Sequence, residues 1–240
     1  MDAIPTFALL HAGAGTLALA GFWLAAALRK GSGPHRLAGR AYLLSMATVI
    51  ATGIPLTLGQ WADGRPVAAA FLGYLLLLVS TTLWLSWRAV RDRASPRRYF
   101  GRAHAALAIA NPLAGAGVLA LGLATGSALL TGFSLVGLFT GLDMWRRRRI
   151  MPSRPGWWMQ EHYAAMVGNG AATHVAFLVL GLPRLVPEVA GSAAYLAGWF
   201  APVLVAVAAN IWLDRRHARG RAPVGQTSPS SSQPSPVPRL

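Results

Sequence analysis

The feature that most constrains this chain is a series of long apolar runs separated by short, arginine-rich segments. A bilayer core about 30 Å thick is crossed by about 20 apolar residues in a helix. The runs have that length, and the reading is an all-α polytopic membrane helix bundle of about seven spans. They cover about Ile4 to Leu28, Arg36 to Trp61, Val67 to Trp87, Phe100 to Leu123, Ala128 to Trp145, Trp157 to Leu182 and Ala193 to Trp212. Proline removes a backbone donor, so Thr52-Gly-Ile-Pro55 and Asn111-Pro112 predict breaks in spans two and four. Residues 1–213 form the transmembrane domain; 214–240, basic and then rich in Ser, Pro and Gln, read as a disordered tail.

Net charge is +15, which in a soluble protein would point to nucleic acid. Only 12% of the residues are charged, however, against about a quarter in a soluble domain. The basic residues sit in short loops between spans, so their expected partners are the bilayer and its anionic headgroups, not nucleic acid. The loops after spans one, three and five, and the tail, are strongly basic. The opposite loops carry Arg65 and Arg184 with Asp63 and Glu188. The positive-inside rule then places the N-terminus outside and the C-terminus inside. The start, MDAIPT, lacks a basic n-region, so no cleaved secretory signal is expected. An Arg-rich, nearly Lys-free composition hints at a GC-rich genome, and the expected location is a bacterial cytoplasmic (inner) membrane. The absence of cysteine excludes disulfides, thiolate metal sites, cysteine nucleophiles and thioether haem attachment.

Polar groups inside a span are expensive, face the protein interior and are functional candidates. The sixth span carries most of them: Glu161, His162, Asn169 and His174. Counting about 1.5 Å per residue from the ends of the runs puts His11 and His174 in one layer of the outer half. His35, His104 and His162 fall at or just within the inner face, and His217 in the solvated tail. Gly15 beside His11 and Gly170 beside His174 leave room for a flat cofactor, or equally let helices pack closely. Asp143 reads as a partner for Arg146 or Arg147 at helical spacing, and Glu161 as a partner for a loop arginine.

Three functions fit. Two opposed histidines at equal depth are what a b-type haem would use, with His11 and His174 as an outer pair and His104 and His162 as an inner one. A proton-coupled carrier would use His104, Asn111, His162, Asn169 and Glu161 as a polar path beside the helix breaks. An accessory membrane protein would bind no ligand and spend its histidines on interhelical hydrogen bonds. His35, Arg36 and Arg40 read as lipid-headgroup contacts. No Walker loop, nucleophile elbow or dinucleotide fingerprint is present, and no metal-binding spacing such as H-E-x-x-H occurs. An enzymatic role is left open.

A weak internal repeat joins Arg36-Leu-Ala-Gly-Arg40-Ala to Arg98-Tyr-Phe-Gly-Arg102-Ala, two spans later and in the same orientation. His11-Ala-Gly-Ala-Gly15, His35-Arg36-Leu-Ala-Gly39-Arg40-Ala-Tyr42 and Glu161-His162 through His174-Val-Ala-Phe177 give a wider likeness. On these pieces the chain resembles an uncharacterised family of predicted bacterial multi-span membrane proteins, a domain of unknown function, over about Leu10 to Leu182. That resemblance implies the fold and no particular chemistry. There is a looser similarity to membrane b-type cytochromes, which hold haem between histidines of neighbouring spans.

Overall fold

A computed structural model describes residues 3–186 and 192–219. The described chain is helical, with no strand among the described residues. In order the helices are α1 (Ala3–Ala27), α2 (Gly33–Ala62), α3 (Pro66–Arg91), the short α4 (Pro96–Tyr99), α5 (Arg102–Thr125), α6 (Ala128–Ile150), α7 (Trp157–Ala176), the short α8 (Leu182–Leu185) and α9 (Ser192–Arg219). Seven of them are long and apolar enough to cross a membrane. Large apolar side chains cover the outside: Leu9, Leu17, Leu44, Phe139 and Leu204 are each more than 60% exposed. Such a surface suits lipid and not water, and the protein is a polytopic helical bundle.

Local sequence explains the helix ends. Ser32 caps α2 by accepting the His35 N–H at 3.2 Å, with Pro34 in the first turn, where a missing donor costs nothing. Ser127 does the same for α6 through Leu130 N–H. Gly126 ends α5 at φ 66, a left-handed conformation that favours glycine. Pro55 and Pro112 both lie inside continuous helices, so neither ends its span. A true break occurs earlier, at Phe100 and Gly101 between α4 and α5. The two copies of the G-R repeat therefore differ: the first lies within α2, whereas the second straddles that break. Beyond Ala176, α7 widens into a π turn over Phe177–Gly181. Pro183 cannot donate and would crowd the carbonyl four residues back, and the wider turn relieves this.

The chain runs back and forth, so the arginine-rich ends of all seven spans share one end of the bundle. Bonds between them show it: His35 Nδ1–H donates to Ala25 O, and His162 Nδ1–H to Ser86 O, each at 3.0 Å. Helices α5 and α6 pack closely, and glycine lets them do so. A Cβ on Gly141 would lie 2.2 Å from Pro112, and one on Gly137 would lie 2.8 Å from Asn111 O. This is the small-residue packing that membranes favour, where there is no hydrophobic drive between helices. Helix α3 runs through the middle, with α2, α5 and α7 against it.

Two corrections concern the last span. The tail was expected from Asp214, but α9 carries Asp214 to Arg219 as helix. His217 is accordingly not a solvated tail residue; its ring stacks on Tyr163 at 4.9 Å. The rest of the expected tail, 220–240, lies outside the described residues, as does Glu188.

Candidate functional site

The outer histidine pair does not form. On α1, His11 Nδ1 lies 3.0 Å from Thr52 Oγ1 of α2. That hydroxyl spends its proton on the Thr48 carbonyl at 2.7 Å, so the imidazole N–H is the donor. His174 sits elsewhere. Its Nδ1–H donates to Gly170 O at 2.7 Å, and its Nε2 accepts the indole N–H of Trp23 at 3.0 Å. Trp23 follows His11 by about 18 Å along α1, at about 1.5 Å per residue. The two histidines thus occupy different layers, and both nitrogens of His174 are taken. The slot expected over Gly170 is filled as well, since a Cβ there would lie 2.3 Å from the Phe22 ring. The small residue serves close packing. Depth counted from the end of an apolar run fails here because helices slide along one another to satisfy side chains.

The expected headgroup contacts also divide. His35 is turned inward to Ala25 O, and Arg36 donates to Gly31 O at 2.8 Å, closing its own loop. Arg40 is exposed.

The interior holds a different set of polar residues. His104, Asn111 and Asn169 are fully buried, as are Thr81, Ser86 and Ser134. Both helices that carry the first three, α5 with His104 and Asn111 and α7 with Asn169, pack on α3. Asn111 Nδ2 donates to Thr81 Oγ1 at 2.9 Å and to Leu107 O at 2.8 Å. Its Oδ1 has no partner among the described residues, nor has either ring nitrogen of His104, either amide atom of Asn169, or Oε1 of buried Gln160. Aromatic rings enclose His104: Phe100 at 5.0 Å and Tyr99 at 5.5 Å. His162 lies about two turns from Asn169 on the same face of α7 and reaches Ser86. Of the five residues expected to share a path, Asn111 and His162 bond to α3, His104 and Asn169 are buried on helices that pack on it, and Glu161 lies apart from them in a charged cluster.

At the basic end this interior meets a charged cluster. Arg147 of α6 donates to Asp143 at 2.6 Å, to Glu161 of α7 at 3.1 Å, and lies 3.8 Å from Asp214 of α9. Asp143 is shared with Arg146 at 2.7 Å, as its helical spacing predicts. Glu161 takes a second bond from the Tyr99 hydroxyl at 3.0 Å. Arg147 and Glu161 are both almost wholly buried. A buried charge of this kind is tolerable only when paired and bonded, and both carboxylate oxygens of Glu161 are engaged. Tyr163 donates to the other side of Asp214. Burial, followed by the negative charge of Glu161, holds the Tyr99 phenol well above its usual 10.0, so it stays a donor. Nearby, Arg148 donates to the carbonyls of Phe100 and Gly101 and fixes the break before α5.

Sequence reading gave Glu161 an arginine partner but missed Tyr99, Gln160 and Thr81. Tyr99 stands two residues before the glycine of the second G-R repeat, the one local signal available. Thr173, which helical spacing puts on one stripe with His162, Met166 and Asn169, lies 3.3 Å from the buried Tyr42 hydroxyl. Among the described residues no three His, Asp or Glu side chains are arranged to hold a metal ion. No protein-family model, curated protein or solved structure matches this chain, so its site stands on its own residues.

Proposed function

We propose that this protein is a proton-coupled carrier of a small polar solute in a bacterial cytoplasmic membrane, its arginine-rich end facing the cytoplasm. The observation that carries the reading is the set of buried, unpartnered atoms on His104, Asn111, Asn169 and Gln160. Each such atom costs about 1–3 kcal/mol if nothing bonds to it. An accessory protein gains nothing from that cost, whereas a path that admits water or solute supplies the partners. The set follows α3 from its middle toward the basic end, where Glu161 offers a carboxylate able to take up a proton. His162, with one ring nitrogen on Ser86 O, stands between Asn169 and that end.

The test is made in sealed proteoliposomes with a pH-sensitive dye inside. With a mixture of small polar solutes (amino acids, sugars and polyols) supplied on one side, an imposed pH gradient should collapse faster with the parent protein than with Asn169→Leu or His104→Phe. Rates equal to those of empty vesicles, for parent and variants alike, would remove the reading.

A redox reading keeps one favourable observation, the two free nitrogens of the His104 imidazole. A haem b would find there a single histidine ligand in place of the opposed pair. A reduced-minus-oxidised visible spectrum with a band that disappears in His104→Ala would move the assignment to it.

A further inference from the structure

The Arg147 cluster lies across the end of the interior just described. From Glu161 to Asn169 is about 12 Å along α7 at about 1.5 Å per residue. One guanidinium ties together α6, α7 and α9 there, and the bonds are graded. Glu161 is buried and held at 3.1 Å, while Asp214 is 45% exposed and lies at 3.8 Å. The end of α9 is otherwise fastened to α7 by Tyr163, through its bond to Asp214 and its stacking on His217.

We infer that the seam between α6, α7 and α9 at the basic end is a gate, held closed by Arg147, with the end of α9 as the moving part. The inference rests on the path reading above and adds where the path is shut. In the closed form Arg147 spans the seam, and the amide of Asn169 is sealed from water. Release of Arg147 from Asp214 and Glu161 frees the end of α9 to swing away from α6, with Tyr163 as the pivot that still holds it to α7. Conduction then requires this pairing to break and re-form in each cycle, so strengthening it should slow transport as surely as removing it should leave the path open.

The chain has no cysteine, so a single introduced one is an unambiguous reporter. Asn169→Cys is placed in the full-length parent and in an Arg147→Gln, Glu161→Gln background, which removes both charges together and strands neither. A membrane-impermeant thiosulfonate is applied from the basic end. Because only a hydrated thiolate reacts, labelling should be about tenfold or more faster in the neutralised background. An Arg147→Lys background, which keeps a cation beside Glu161, Asp143 and Asp214, should restore slow labelling. Equal, fast labelling in parent and neutralised protein would overturn the gate and leave the path. No labelling from either face in any background would overturn both. Fast labelling in the Arg147→Lys protein would show that charge at this position does not hold the seam, and would overturn the role given to the ion pair.

Discussion

The two ends of the bundle are held by opposite means. At the end where α3, α6 and α9 begin, Phe71, Tyr74, Phe133 and Trp199 form an aromatic core, with ring centroids 5.3 Å apart for Phe133 and Trp199 and 5.4 Å for Phe71 and Trp199. Among the described residues its polar anchor is the Tyr74 hydroxyl, which donates to Phe133 O at 2.9 Å and accepts the Gly137 N–H at 2.7 Å, while the Trp199 indole N–H is buried there without a partner. At the other end Arg147, Glu161, Asp143, Asp214 and Tyr99 are joined by directed, charged bonds. Packing tolerates small shifts at little cost, because no one contact carries much of it. A buried ion pair does not: broken, it leaves charge in a dry place. The charged end therefore holds a paired arrangement that is lost all at once when Arg147 lets go, which is the property the proposed gate uses, whereas the aromatic end has no single bond of that kind to release.

The sharpest attempt to break this contrast is Arg147→Ala. It strands Glu161 and should cost about 3–5 kcal/mol, seen as a lower melting temperature in detergent. Arg147→Gln with Glu161→Gln should recover most of that loss; an equal loss in both would mean the pair is no more than packing. Next is the apolar end. Phe133→Ala should cost about 3 kcal/mol through the cavity it leaves, with no change in access to Asn169.

Tyr99→Phe removes a bond to a buried carboxylate and should cost about 2 kcal/mol. It also has a pH signature. The phenol is held above its usual 10.0 in the folded protein, so its contribution is complete below that pH. That contribution should fade as pH rises through the folded value, because the unfolded chain loses its proton first. Stability measured from pH 9 upward should thus fall less steeply in Tyr99→Phe than in the parent. The smallest effect has the opposite sign. Asn169→Leu replaces two unpartnered amide atoms with an apolar group of similar shape and should raise stability by about 1 kcal/mol while slowing transport. A loss of stability there would mean that the amide is a structural group.

Much of the fold was legible because hydrocarbon imposes its demand locally. Any run such as Ala128 to Trp145 must be apolar over its own length, and one segment suffices to show it. Short-range pairs were legible for the same reason. Asp143 and Arg147 are one helical turn apart, and no knowledge of the fold is needed to join them. The histidines were not legible in this way. His11 and His174 were placed by counting from the ends of their runs, yet Thr52 and Trp23, on other helices, decided their layers.

The sequence by itself determined that the chain is a helical membrane bundle with an arginine-rich end, since hydropathy and charge act residue by residue. Tertiary structure alone decided that Phe22 fills the space over Gly170, that Tyr99 reaches Glu161, and that His104 and Asn169 face an interior without partners. The physical reason is that neighbouring spans look alike to lipid. Their rotation and sliding are fixed by which small residues let backbones approach and by which few polar side chains can meet. Those choices are made between helices, where no single stretch of sequence records them.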